Sequence, residues 1–214
     1  MCGFDTVLLD LDGTLVDSAA GILGSLRDAF DDVGVPWPDG AVGPAILGPP
    51  LYETLPPIIG AEAAGAVVRE YRRRYAEEGL YRSTPYPGIE ELLHDLAGRG
   101  ARLALATSKA EVHARAILDN LGWTGLFAEV VGDTLDAARP TKAAVIAEAL
   151  ARLGGHDEAV MIGDRRTDVV GARAHGIDCL GAGWGYGEPG ELAEAGAVAI
   201  VETPSALGPR LIRT

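Results

Sequence analysis

The chain of 214 residues has little cysteine: Cys2 and Cys179 are the only two. That is too few for a disulfide framework, and it predicts a reducing compartment, the cytoplasm. Long apolar runs are also missing. None approaches the roughly 20 residues needed to span a bilayer, which argues against a membrane protein. The opening stretch MCGFDTVLLDLD has no basic segment ahead of its apolar run, and aspartates break that run. No signal peptide is expected from it. Positive charge is scarce too, with 18 Lys and Arg against 31 Asp and Glu and a net charge of -13. A nucleic-acid backbone is therefore a poor partner. If the ligand is an anion, local cations must hold it against the field of the whole chain.

What remains is an ordinary globular composition, 48% hydrophobic and 23% charged, enough for one full core and a modest second lobe. Short apolar runs recur at Val7–Leu9, Leu103–Ala106, Val130–Val131, Val160–Ile162, Cys179–Leu180 and Val198–Val201. They lack period-two alternation, as expected of strands buried on both faces. Stretches with helical spacing lie between them: Ile89, Leu92, Leu93 and Leu96; Val112, Ala116, Ile117 and Leu121; Val145, Ile146, Ala149, Leu150 and Leu153. Gly100, Gly122 and Gly154 follow as C-caps. Strand and helix in alternation predict an α/β fold, a doubly wound parallel sheet.

One segment breaks the rhythm. From about Asp17 to Thr84 only helical patterns occur, with one stripe at Ile22, Leu23, Leu26, Phe30 and Val33 and another at Val67, Val68, Tyr71 and Tyr75. The Pro- and Gly-rich stretch Leu47-Gly48-Pro49-Pro50-Leu51-Tyr52 lies between the stripes. The expected organisation is a core of residues 1–16 and 85–214 and an inserted all-helical cap domain of residues 17–84. Insertions at the carboxyl end of a sheet overhang the crevice where α/β ligands bind.

Chemistry-bearing residues fall where strands end. Asp10-Leu11-Asp12-Gly13-Thr14 closes the first strand and Thr107-Ser108-Lys109 the second; Lys142 opens a helix, and Gly163-Asp164-Arg165-Arg166-Thr167-Asp168 closes a later strand. In an open parallel sheet these ends share one side, so the residues converge. Two carboxylates one residue apart repel each other unless a cation compensates them. Carboxylate oxygens suit a hard ion such as Mg²⁺, which Asp10 and Asp164 can share. Thr107 and Asp168 also read as helix N-caps. Arg69, Arg72, Arg73 and Arg74 read as a solvated helix face, and the four histidines show no metal-binding spacing.

DLDGT with a following Asp, a Thr after the second strand, a lone Lys, and GD-x-x-x-D together resemble the four motifs of the haloacid dehalogenase superfamily. The resemblance runs through the whole chain. Within the superfamily it is most similar to the phosphoglycolate phosphatase-type group, through Gly48-Pro49-Pro50-Leu51, Ala106-Thr107-Ser108-Lys109, Ile162-Gly163-Asp164-Arg165 and the Gly185-Tyr186-Gly187 turn. It implies a Rossmann-like core and Mg²⁺-dependent hydrolysis of a small phosphorylated metabolite by a monomer or homodimer. Asp10 would be the nucleophile that forms an aspartyl-phosphate, and Asp12 the acid and base. Lys142 would neutralise charge in the transition state. The phosphate-binding set would be Gly13, Thr107, Ser108 and Lys142, with Gly48 on the cap loop. The metal would take Asp10, Asp12 (through its carbonyl) and Asp164, and Asp168 would orient Lys142 or a metal-bound water. Around Lys142 this chain reads Pro140-Thr141-Lys142, which leaves Arg139 as a second candidate. Alternatives are a β-phosphoglucomutase-like phosphomutase and a non-catalytic phosphoacceptor module.

Overall fold

A computed structural model of the chain describes residues 3–43, 46–47, 51–155 and 158–211. In chain order its elements begin with β1 (Thr6–Leu9), β2 (Val16–Asp17) and α1 (Ala19–Asp32), then α2 (Leu51–Thr54), α3 (Pro56–Ile59) and α4 (Ala61–Glu77). β3 (Thr84–Pro85), α5 (Ile89–Gly98), β4 (Arg102–Ala110), α6 (Glu111–Leu121), β5 (Phe127–Asp133) and α7 (Lys142–Arg152) follow. The chain continues through β6 (Ala159–Gly163), α8 (Arg166–Arg173), β7 (Asp178–Ala182), α9 (Glu191–Ala195), β8 (Ala199–Val201) and α10 (Gly208–Leu211). The chain forms two compact units, Met1–Asp17 with Pro85–Thr214, and Ser18–Thr84.

The larger unit is built on a six-stranded sheet in the order β5-β4-β1-β6-β7-β8. Every pairing in it is parallel. Along β1, Leu8 points to one face with Ala104, Ala106 and Met161, where Val145, Ile146 and Ala149 of α7 and Val169 and Ala172 of α8 complete the packing. By strand alternation Val7 and Leu9 point to the other face, and they are equally buried. Burial on both faces is the physical reason these strands read as unbroken apolar runs.

Strand order reverses at β1, with β4 on one side and β6 on the other. An open α/β sheet places its ligand crevice at such a point, beyond the carboxyl ends. Register then sets the neighbours: Leu9 pairs with Leu105 and with Ile162, so Asp10, Ala106 and Gly163 stand one step further on, side by side. The Asp10 amide keeps the ladder by donating to the Ile162 carbonyl at 3.0 Å.

The smaller unit is helical. Leu26, Ala29 and Phe30 of α1 pack with Ala64, Val67 and Val68 of α4, Leu55, Val42 and Ile46. Arg73 and Arg74 of α4 form ion pairs inside this unit, Arg73 with Glu70 and Glu77 and Arg74 with Asp32; Arg69 and Arg72 are exposed. No described helix is long and apolar enough to cross a membrane. Gly48, placed in the phosphate-binding set on sequence, lies outside the described residues.

Candidate active site

Past Asp10 the chain makes a tight reversal. The amides of Leu15 and Val16 both donate to the Leu11 carbonyl at 2.9 and 3.0 Å, and the Gly13 amide donates to the Val16 carbonyl at 2.9 Å. Gly13 supplies the positive φ of 81° that the turn needs, and a Cβ there would overlap the Asp164 carboxylate. Only glycine meets both demands. Among the described residues neither the Leu11 nor the Asp12 amide has a backbone acceptor.

Lys142 opens α7, where the positive end of the helix dipole disfavours an ammonium. Carboxylates compensate. Its Nζ lies 2.8 Å from Asp10 Oδ1 and 2.7 Å from Asp168 Oδ1, and it donates to the Ala106 carbonyl at 3.1 Å. The two carboxylates act on it as close ion-pair partners, and the carbonyl as its hydrogen-bond acceptor. Burial works against the charge, but Asp10 and Asp168 outweigh it and hold the ammonium above the ordinary lysine range. Thr141 caps the helix by accepting from the Ala144 amide. Arg139 is taken up elsewhere, donating to the Gly132 carbonyl and to Glu111.

Asp164 is fully buried. Its Oδ1 accepts from the Thr14 hydroxyl at 3.2 Å and its Oδ2 from the Tyr186 amide at 2.7 Å. Burial, then the negative charges of Asp10 and Asp168, push it up to about 8. Asp10 is pushed up to about 6, chiefly by burial, with Lys142 opposing. Asp168 is also fully buried; its second oxygen accepts from the Arg165 amide at 3.0 Å at the start of α8. One oxygen from each of Asp10, Asp164 and Asp168 lies within 4.8 Å of the others.

Thr107, 1% exposed, lies inside β4 and not at a helix N-cap; Ala110 caps α6. Its hydroxyl oxygen accepts from the Lys109 amide at 3.2 Å, leaving the hydroxyl proton for another acceptor. Ser108 alternates to the other side of the strand and is exposed. Lys109 returns to the Thr107 side, with its ammonium 3.0 Å from Asp12 Oδ2.

Trp184 and Tyr186, on the loop after β7, add contacts that the sequence motifs do not show. Trp184 Nε1 donates to the Thr14 carbonyl at 3.1 Å, and the Tyr186 hydroxyl donates to Asp17 Oδ1 at 2.7 Å. With the Tyr186 amide on Asp164, this loop braces both the DLDGT turn and the buried carboxylate. The clue available in sequence was the glycine spacing: a Cβ at Gly185 would overlap Asp164 and the Gly13 carbonyl.

The site therefore gathers four carboxylates, Asp10, Asp12, Asp164 and Asp168, against two ammoniums, Lys109 and Lys142. With all four carboxylates ionised, two negative charges remain over. The donors are all hard oxygens, and among the described residues Asp10 Oδ1, Asp12 Oδ1 and Asp168 Oδ1 are buried without a hydrogen-bond partner. This set fits a small divalent cation such as Mg²⁺.

Comparison with known proteins identifies the family. The family model for haloacid dehalogenase-like hydrolases matches residues 7–182. The chain is 46% identical over 182 residues to the tyrosine-protein kinase PtkA of Mycobacterium tuberculosis, covering 85% of this chain but 62% of that protein. It therefore spans under two thirds of that relative's length. To the 5'-nucleotidase of Pseudomonas aeruginosa it is 38% identical over 192 residues, 88% of this chain and 87% of that one. A haloacid dehalogenase-like family hydrolase from Streptococcus pneumoniae superposes with a TM-score of 0.89 at 31% identity, over 98% of this chain and 99% of that one. With the sheet order, the carboxylate cluster at the β1 switch point and a match from Val7 to Ala182, the chain belongs to the haloacid dehalogenase-like hydrolase family.

Proposed function

We propose that the protein is a Mg²⁺-dependent phosphatase of small phosphomonoesters, working in the cytoplasm through an aspartyl-phosphate on Asp10. The observation that carries this reading is the charge imbalance of a buried site in which two carboxylates, Asp10 and Asp168, share one lysine ammonium. The carboxylates of Asp10 and Asp164, with the Asp12 backbone carbonyl, would hold the cation. When bound, it supplies the positive charge that lets an anionic side chain approach an anionic ester.

The residues then divide the work. Lys142 fixes Asp10 through Oδ1, leaving Oδ2 to attack phosphorus in line. The Leu11 and Asp12 amides, which have no backbone acceptor among the described residues, and the Thr107 hydroxyl are donors for phosphoryl oxygens. Asp12 gives its proton to the departing ester oxygen as the P–O bond breaks. It then takes a proton from water as that water attacks the phosphoryl group, returning the bonding pair to Asp10. Phosphoglycolate-like esters are the substrate class that the sequence resemblance suggests, and nucleoside monophosphates the class suggested by the Pseudomonas relative's name.

The test is phosphate release from a panel of phosphomonoesters with Mg²⁺ or with chelator, ranked by kcat/KM. The expected result is multiple turnover that needs the metal and disappears in Asp10→Asn. Equal activity in chelator, or a fully active Asp10→Asn enzyme, would overturn the proposal. Isomer formation from a sugar 1-phosphate would favour a phosphomutase. Stoichiometric phosphorylation without turnover would favour a phosphoacceptor.

A further inference from the structure

Lys109 has no part in the scheme above, yet it is placed unusually for its residue type. Its side chain is 8% exposed, whereas lysine ammoniums ordinarily stay in water. Strand alternation from the buried Thr107 turns it inward, and its amide hydrogen bond to the Thr107 hydroxyl holds the backbone that carries it. At the end of that stem the ammonium meets Asp12 Oδ2 at 3.0 Å. The other oxygen of the same carboxylate, Oδ1, is buried with no hydrogen-bond partner among the described residues. A buried carboxylate oxygen without a donor is costly, and such groups persist where a ligand completes them.

We infer that Lys109 is a positioning residue that fixes Asp12 by Oδ2, so that Oδ1 is the atom exchanging a proton with the leaving group and then with water. The inference rests on the phosphatase reading and assigns a division of labour within it. Lys142 does the same for Asp10, holding Oδ1 and freeing the other oxygen. In the first step the ester P–O bond breaks, its electron pair stays on the ester oxygen, and that oxygen takes the proton from Asp12 Oδ1. In the second step Oδ1 recovers a proton from the attacking water. Lys109 neither gives nor takes a proton in either step. Its effect is geometric: without the anchor the carboxylate rotates about its Cβ–Cγ bond, and neither oxygen stays aligned with the leaving group.

This makes the consequence depend on the leaving group. An alkyl ester expels a basic alkoxide that needs a proton in the transition state, whereas p-nitrophenol leaves with little help. The experiment compares wild type, Lys109→Met and Lys109→Arg with Mg²⁺ on two substrates, the best alkyl phosphate from the panel and p-nitrophenyl phosphate. Met keeps the apolar stem, and Arg restores a cation. The expected result for Lys109→Met is a kcat/KM loss of roughly 30-fold or more on the alkyl ester and below about 3-fold on the aryl ester, because kcat/KM reports the step in which the leaving group departs and excludes the hydrolysis step that both esters share. Lys109→Arg should recover part of the alkyl rate. The ratio of the two rates in one sample is independent of how much of that sample is folded, so a destabilised variant still answers the question. Equal kcat/KM losses on both esters would overturn the inference, since Lys109 would then support the fold or the site as a whole. A rise in KM at unchanged kcat would also overturn it, because Lys109 would then capture the anion and leave Asp12 alone. A wild type that turns over neither ester would instead refute the phosphatase reading, and this inference would fall with it.

Discussion

Replacing Lys142 with Met would remove the buried ammonium while keeping a stem of similar length, and the structure sets both the size of the loss and its pH dependence. The variant strands Asp10 Oδ1 and Asp168 Oδ1, which face Lys142 at 2.8 and 2.7 Å. Removing one partner of a buried ion pair costs about 3–5 kcal/mol. The variant has one escape, which is to protonate a carboxylate. For a group whose ordinary value is 3.8, that costs about 1.4 kcal/mol per pH unit above it. The ceiling is then about 6 kcal/mol at pH 8 but only about 2 kcal/mol at pH 5. At the higher pH the penalty should therefore reach its full value, and at the lower one protonation should cap it. The sign follows from linkage. A carboxyl whose folded value is raised stabilises the fold fully below its unfolded value and loses that contribution as pH rises through the folded value. Urea unfolding in chelator, followed by tryptophan fluorescence with Trp123 buried in the core, measures the gap between variant and wild type. In thermal unfolding the gap at about pH 8 corresponds to roughly 10 °C. A gap that is the same at both pH values, or below about 1 kcal/mol at the higher one, would refute the account of Lys142 as the counter-charge of two buried carboxylates.

Three further outcomes follow from the same site. Asp10 and Asp164 are raised from 3.8 to about 6 and about 8, so their contribution to the stability of chelated wild type should fall as pH climbs from about 4 through 8. Added Mg²⁺ should raise Tm more at the alkaline end, where protons no longer shield the cluster; an equal rise throughout would contradict the metal assignment. In Gly171→Ala a new methyl would stand 2.9 Å from Lys142 Cγ and 3.1 Å from the Ala143 amide nitrogen. Overpacking of about 1–3 kcal/mol should exceed the roughly 1 kcal/mol gained in helix propensity, lowering both Tm and kcat, and a more stable, fully active protein would show that α7 and α8 can part freely. Gly13→Ala combines a φ of 81° with overlap on Asp164 and should cost at least 100-fold in kcat/KM; near-normal activity would mean that the turn is not needed to seat that carboxylate.

Much of this architecture can be read in the chain. Runs such as Val7–Leu9 and Val160–Ile162 mark strands because burial on both faces leaves no polar alternation to blur them, and β1 and β6 extend each by only a residue at one end or both. β4 and β5 run longer than their apolar cores, to Ala110 and Asp133. Their ends carry Thr107, Ser108, Lys109 and Asp133, polar residues that a hydrophobic pattern does not count as strand. That misreading placed Thr107 at a possible helix start. The convergence of Asp10, Asp164 and Lys142 was legible because parallel topology brings strand ends together. What was not legible was pairing at the level of single oxygens. Nothing in sequence spacing says that Lys109 would turn back onto Asp12, or that Tyr186 would lend its amide to Asp164. Those contacts depend on side-chain direction and on a loop that is distant from its target along the chain.

The central position of β1 has a consequence for how the molecule comes to exist. Its partners are Arg102–Leu105 on one edge and Ala159–Ile162 on the other, so the strand that leads into Asp10 leaves the ribosome long before either neighbour. Until the later half is made, Val7, Leu8 and Leu9 have no sheet to join, and such long-range pairing is slow and prone to misassociation. Aspartates at positions 5, 10 and 12 flank that sticky segment, and flanking charges of one sign oppose association of such segments between nascent chains.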